Sequence, residues 1–169
     1  MKRIPYKVFS LLAIFVLLIC LFVFYLGKPD RISNKFAGNL FDYPLPKETT
    51  LIEKKQYNGR NWVDSGGSGG FWNVVAFMKL HTNLPKSEIV KYYKAAGKFP
   101  YPDSKQQEVQ VEIYFEDDRK LVEEREGAYY LTKGGSHQTV DNMDVNEQVG
   151  LSNEVIIQIV SGFKYFQID

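Results

Sequence analysis

The chain has 169 residues, with 21 basic and 20 acidic residues, and 15% of its residues are aromatic. This length predicts one domain plus a short attachment, since domains commonly run about 100–200 residues. Three basic residues precede a long apolar run; without them, 18 basic residues face 20 acidic ones, a balance that lacks the basic footprint of a nucleic-acid-binding domain.

An uncharged apolar run covers residues 8–26, after a short basic tail at residues 1–7. As a helix it would be about 28 Å long, close to the hydrocarbon thickness of a bilayer. The run is longer than the apolar part of a cleaved signal peptide and does not end at a small-x-small site. Cys20 follows Ile19, where a lipoprotein would have a small residue. We therefore predict a transmembrane helix that is neither cleaved nor lipidated.

The charges that flank the apolar run bear on its orientation. The three basic residues of the tail face Lys28, Arg31 and Lys35 on the other side, so the positive-inside count is close to a tie. A short basic tail before a first apolar run is typical of a signal anchor. We expect a single-pass protein of the cell membrane with its domain outside the cytoplasm, and a cytoplasmic domain is the alternative.

Residues 27–46 contain three prolines and Gly38, and they show no sustained periodicity, which indicates an irregular tether. Residues 47–169 form the predicted domain. Strands are predicted at residues 49–57 and 71–81, with a glycine-rich loop between them. The second of these strands is apolar on both faces, which predicts a central strand covered on both sides.

The clearest helix of the domain is predicted at residues 84–96, because its apolar residues share one helical face. In residues 108–115 apolar side chains alternate with mostly polar ones. This pattern predicts a strand with one face exposed to solvent, and that face includes Glu112 and Tyr114. Residues 128–133 and 154–166 are predicted as further strands. Residues 121–126 are undecided between strand and helical turn, and residues 139–152 are predicted as a long loop. The predicted fold class is α+β, with one main helix on one face of an antiparallel sheet.

Four aromatic residues surround the glycine-rich loop: Tyr57, Trp62, Phe71 and Trp72. Aromatic side chains are frequent anchors of protein interfaces. These four residues are therefore the predicted binding patch, and the alternative is that two or three of them belong to the core.

Several short motifs are similar to parts of catalytic or ligand-binding sites, but each lacks a feature that such a site requires. Residues 64–67, Asp-Ser-Gly-Gly, are similar to the nucleophile segment of chymotrypsin-like proteases, but both histidines, His81 and His137, follow the serine, unlike the order in those enzymes. The glycine-rich loop leads into a strand, whereas a phosphate-binding P-loop leads into a helix. The oxygen-bearing side chains of residues 141–147 lack the spacing of a calcium-binding EF-hand. We therefore expect no metal site and no cofactor.

The segment from Leu45 to Tyr93 resembles an uncharacterised group of small membrane-anchored or lipoprotein-type proteins of Gram-positive bacteria. The resemblance rests on Pro44-Leu45-Pro46 followed by Thr50 and Glu53, on the glycine-rich stretch before the second strand, and on the acidic and apolar helix that ends in Tyr92-Tyr93. It implies an extracytoplasmic α+β module of unknown role, and it assigns no catalytic residue.

These observations predict a single-pass membrane protein with a non-catalytic domain outside the cytoplasm, which acts as an interaction or binding module of the cell envelope. Its expected contacts are the membrane, through residues 8–26, and an envelope protein or cell-wall partner. Two alternatives stay open. One is a small membrane-tethered hydrolase that uses His81 or His137 with an acidic neighbour, and the other is a cytoplasm-facing accessory subunit of a membrane complex.

Overall fold

The computed structural model describes residues 6–60, 71–102 and 108–164, with side chains from residue 10 onward. The described residues form three α-helices: α1 at Tyr6–Leu26, α2 at Lys28–Phe41 and α3 at Lys86–Ala96. Their strands are, in chain order, β1 (Thr49–Arg60), β2 (Phe71–Thr82), β3 (Phe99–Pro100), β4 (Glu108–Val109), β5 (Glu112–Phe115), β6 (Arg119–Glu124), β7 (Gly127–Thr132) and β8 (Glu154–Lys164).

The domain is built on a four-stranded antiparallel sheet with the order β1-β2-β8-β5. One face of the sheet packs against α2 and α3, and the other is covered by the antiparallel hairpin of β6 and β7. Side chains on both faces of β2, such as Val74 and Val75, have no exposed surface. The predictions of an α+β fold and of a central second strand are therefore confirmed, in a three-layer arrangement.

The segment predicted as an irregular tether is instead mostly helical. Helix α2 buries Ser33, Phe36, Ala37 and Leu40 against the sheet. Phe36 and Leu40 lie four residues apart, a spacing that brings side chains to one helical face. Pro29 lies in the first turn, where its missing N–H is tolerated. The tether prediction was wrong because a proline at the helix start and one interior glycine do not prevent a helix whose apolar face is buried, and two helices rather than one pack on the sheet.

The predicted strand at residues 108–115 is divided into β4 and β5. Glu108, at the start of its second face, is exposed as predicted, but the part of this face that holds Glu112 and Tyr114 is buried. Glu112 and Tyr114 are 6% and 0% exposed. The β6–β7 hairpin covers them, because its tyrosines, Tyr129 and Tyr130, pack on this face of the sheet. Most of the undecided segment at residues 121–126 belongs to β6 and so helps to form the cover.

Helix α1 exposes apolar side chains on all sides, from 46% at Ile19 and Tyr25 to 73% at Leu11. Within the described residues, no single helix meets the length and hydropathy of a membrane span. Ser10–Leu26 and Lys28–Phe41 meet them together, as a pair bent by 42°.

Hydrogen bonds along α2 show which end of the sheet lies next to α1. Asn58 Nδ2 donates to Asp30 Oδ1 over 2.9 Å, and Lys54 Nζ donates to the Phe41 carbonyl over 2.6 Å. Helix α2 therefore runs antiparallel to β1. At one end of the sheet, the end of β1, the start of β2 and the end of β8 lie side by side. The first turn of α2 lies beside this end, which we call the proximal end. The opposite end, where β2 leads into α3, is the distal end.

Candidate functional site

The predicted aromatic patch does not come together on one surface. Trp62 lies outside the described residues. Trp72 packs on the helix-covered face, where its Nε1–H donates to Ser33 Oγ over 2.9 Å. Tyr57 lies on the opposite face, with the side chains that the hairpin covers. Phe71, at the proximal end, is 44% exposed. Because side chains alternate across a strand, the sheet itself separates Tyr57 from Trp72.

A buried polar cluster lies beneath the β6–β7 hairpin. Glu112 Oε2 accepts hydrogen bonds from Tyr114 Oη over 2.8 Å and from Gln158 Nε2 over 2.7 Å. His137 Nδ1 lies 2.9 Å from Glu112 Oε1, and the imidazole stacks on Tyr129 with ring centroids 6.2 Å apart. A carboxylate also lies beside an imidazole in hydrolytic triads and in zinc sites.

The same cluster attaches the hairpin to the sheet. Gln158 Oε1 accepts from the Tyr130 N–H over 2.8 Å, and Gln158 Nε2 donates to the Tyr130 carbonyl over 3.1 Å. Burial and the neighbouring Glu112 raise the pKa of Tyr114 above its ordinary value, so its hydroxyl stays protonated and donates well above neutral pH. These hydrogen bonds compensate for the burial of the Glu112 carboxylate, the Gln158 side-chain amide and the backbone amide groups of Tyr130.

The two histidines do not converge. His81 is exposed and pairs across the sheet with Glu154, whereas Glu112, the partner of His137, pairs with Gln158. Glu154 and Gln158 are four positions apart on β8, which corresponds to about 13 Å along the strand. A shared metal or a proton relay between the histidines therefore has no support in this arrangement.

Two of the carboxylates in residues 141–147 accept hydrogen bonds from within the protein. Asp144 Oδ1 accepts from the Asn146 N–H over 2.8 Å, and Asp141 Oδ2 accepts from Gln110 Nε2 over 2.7 Å. Across the parts of the chain that are described, no group of three or more His, Cys, Asp or Glu residues is arranged to hold a metal ion.

An open groove of about 420 Å³ lies at the distal end, between α3 and the loop that precedes β8. The Lys86 N–H donates to the Gly150 carbonyl over 3.1 Å, and Pro85 forms a bridge with Leu151, so the loop is held against the helix. Val149 and Leu151 are 80% and 67% exposed. The sequence identified this segment only as a long polar loop, and these two apolar residues are the signal that could have drawn attention to it.

Sequence reasoning also missed Glu112 as the acidic neighbour of His137. The alternating pattern of residues 108–115 assigned Glu112 to a wet face, and only the position of the hairpin shows that this face is covered.

Comparisons with known protein families, with curated proteins and with solved structures find no match for this chain. The resemblance to membrane-anchored proteins of Gram-positive bacteria therefore stays an expectation.

Proposed function

We propose that the chain is a single-pass membrane protein whose domain lies outside the cytoplasm and acts as a non-catalytic interaction module. The observation that carries this proposal is the continuity of two helices. Helix α1 exposes apolar side chains all round, and only Gly27 separates it from α2, whose apolar face is part of the domain core. An exposed apolar helix is unfavourable in water and suited to the hydrocarbon of a bilayer.

The junction between the helices supports a domain held close to the bilayer. The Arg31 guanidinium donates to the Phe24 carbonyl over 2.6 Å and lies 4.0 Å from the centre of the Phe24 ring. It thereby satisfies one of the carbonyls that a helix leaves open at its C-terminal end. The direction of α1 is thus coupled to the orientation of the domain.

The distal groove is the surface best placed for a protein partner. The 12 residues of β2 span roughly 40 Å between the proximal and distal ends. With α1 in a bilayer, Val149 and Leu151 lie on the part of the domain farthest from the lipid. Exposed apolar side chains bordered by charged residues, here Glu88 and Lys91 in the groove wall, match the composition of many protein interfaces.

The membrane anchor and its orientation are tested together. A reporter that is active only outside the cytoplasm and one that is fluorescent only inside it are each fused after Asp169. We expect activity outside, and a membrane pellet that retains the chain after alkaline carbonate extraction. Fluorescence inside would favour the cytoplasm-facing accessory subunit, and release by carbonate would contradict the anchor.

The partner surface is tested by photo-crosslinking in cells. A photoreactive amino acid replaces Val149, and in the matched control it replaces Leu121, an apolar residue of β6 that is 43% exposed. We expect a discrete adduct from position 149 that is lost on Leu151→Asp, and none from position 121. Equal labelling from both positions, or none from position 149, would show that the distal groove is not a contact surface.

The pair of His137 and Glu112 supports a second candidate, a membrane-tethered hydrolase with His137 as its general base. The full chain is assayed on activated ester and peptide substrates beside the His137→Ala variant. Hydrolysis that disappears in the variant, at unchanged folding, would favour the hydrolase. We rank this function second because Glu112 is already bound by Tyr114 and Gln158 and the second histidine lies elsewhere.

A further inference from the structure

The proximal end of the sheet combines basic side chains with an exposed aromatic ring. Lys28 and Arg31 come from α2, Arg60 ends β1, Lys164 ends β8, and Phe71 begins β2 with 44% of its surface exposed. We propose that this end of the domain docks on the phospholipid headgroup layer, with Phe71 entering the interface and the cations contacting lipid phosphates. This inference rests on the proposed membrane anchor.

The strand register brings these residues to one level. Arg60 pairs with Trp72, and Phe71 pairs with Lys164. Because β1 and β8 flank β2, the backbones of Arg60 and Lys164 lie about 10 Å apart. The 2.9 Å hydrogen bond between Asn58 and Asp30 brings the start of α2 to the same level.

The direction of α2 places this end against the bilayer. Helix α2 begins one residue after α1 and is bent from it by 42°. Its 14 residues rise about 21 Å away from the junction. The residues beside its first turn therefore lie at the depth where α1 leaves the hydrocarbon, which is the headgroup layer. Aromatic rings and long basic side chains are favoured at that depth, because each has an apolar body and a polar or charged tip.

Acidic residues also lie near this end, and several have partners inside the protein. Asp30 accepts from Asn58, Glu124 Oε1 accepts from Tyr129 Oη over 3.2 Å, and the Glu126 side chain lies over Gly59. The carboxylates of Asp30 and Glu126 are thus directed to β1 and that of Glu124 to the hairpin. Lys28 and Arg31 are exposed in the first turn of α2, where the apolar helix ends.

The experiment places a probe at the proposed contact. The full chain with Cys20→Ser receives Phe71→Cys and an environment-sensitive fluorophore, and is reconstituted into phospholipid nanodiscs. Leu151→Cys, which replaces an exposed apolar residue of the distal end, is the matched control. We expect a headgroup-attached quencher to quench the probe at position 71 and not at 151, and aqueous iodide to quench mainly the probe at 151.

Charge reversal tests the role of the cations. Arg60→Glu with Lys164→Glu should abolish headgroup quenching at position 71, whereas Lys47→Glu with Lys91→Glu, at exposed lysines away from this end, should leave it unchanged. If the melting temperature of the Arg60→Glu, Lys164→Glu variant falls, the milder pair Arg60→Gln and Lys164→Gln is used in its place. Repeating the measurement in zwitterionic and in partly anionic lipid shows whether a phosphate alone suffices or a net negative surface is needed.

The outcomes separate the two proposals. If the chain co-elutes with the nanodisc lipid and the probe at position 71 is as accessible to iodide as the probe at 151, the docking inference is overturned and the anchor stands. If the chain does not co-elute with lipid, the anchor fails, and the docking inference fails with it.

Discussion

The indole Nε1–H of Trp72 donates a 2.9 Å hydrogen bond to the Oγ of Ser33, and Ser33 has no exposed surface. This contact joins the central strand of the sheet to the helix that follows the apolar N-terminal helix. Helix α2 and the sheet therefore belong to one folded unit, and substitutions at the contact between them should change the free energy of unfolding.

The contact between Trp72 and Ser33 can be measured by a double-mutant cycle. Trp72→Phe leaves the buried Ser33 hydroxyl without this donor and removes part of a large side chain, so we expect a loss of about 1–3 kcal/mol in the free energy of unfolding. Ser33→Ala should cost less, and the double variant should show a coupling of about 1 kcal/mol. Chemical denaturation of the full chain in detergent micelles, followed by circular dichroism, gives the four values. Additive losses would contradict the hydrogen bond.

Leu40→Ala tests whether α2 is part of the core. Leu40 has no exposed surface, so we expect the variant to lose about 2–5 kcal/mol of unfolding free energy. Lys35→Ala, at an exposed position of the same helix, is the matched control, and its change should stay within about 0.5 kcal/mol. Equally small losses of unfolding free energy in both variants would instead indicate that α2 is a tether independent of the core.

The buried cluster under the hairpin should respond unequally to two substitutions. Glu112→Ala removes the acceptor of the Tyr114 hydroxyl and one of the two acceptors of Gln158 Nε2, and we expect a loss of about 2–4 kcal/mol. Tyr114→Phe removes one donor to Glu112 and a longer, 3.3 Å hydrogen bond from the Gln138 N–H, and it should cost about 1 kcal/mol because the carboxylate keeps Gln158 as a donor. Hydrogen exchange should report the loss first at the Tyr130 amide, which Gln158 binds. Unchanged protection of β7 in Glu112→Ala would show that the cluster does not hold the hairpin.

Glu154 should give the domain a pH-dependent contribution to stability. Hydrogen bonds and ion pairs from Lys79 at 3.0 Å and Arg119 at 2.6 Å hold the pKa of its carboxyl below the ordinary value. Because folding favours the charged form, the contribution is present above the unfolded pKa of about 4.3 and is lost as the pH falls through the folded pKa.

Glu154→Gln removes this contribution. At neutral pH we expect a loss of up to about 1 kcal/mol, since the carboxylate is partly exposed to solvent. The difference from the natural sequence should narrow when unfolding is measured near pH 3. Glu123→Gln, at an exposed position of β6, is the control and should change stability by less than about 0.5 kcal/mol. A loss that is the same at both pH values would show that the charge of Glu154 is not its cause.

Elements with strong local patterns could be predicted from the sequence. The strand at Phe71–Thr82 is apolar on both faces, and it is the covered central strand. The shared apolar face of residues 84–96 and the glycine that follows them predict a helix, and the structure has one at Lys86–Ala96. In both cases the pattern repeats over several turns or residue pairs, so it outweighs single residues of low propensity.

The candidate site was predicted less well, because its members come from distant parts of the chain. Glu112, His137 and Gln158 meet only through the pairing of β5 with β8 and the cover of the hairpin. The predicted patch failed to form one surface for a related reason. Tyr57 and Trp72 are near one another along the hairpin of β1 and β2, yet they lie on opposite faces.

By itself, the sequence determined the apolar helix at residues 8–26, the α+β class and the elements whose periodicity is regular, because periodicity is a local property of the chain. Whether that apolar helix spans a membrane is still a prediction. Only the tertiary structure decided that Lys28–Phe41 is a docked helix and that Glu112 and Tyr114 are buried. The physical reason is that burial depends on which distant segment covers a surface, and that segment is chosen by the packing of the whole domain rather than by its neighbours in sequence.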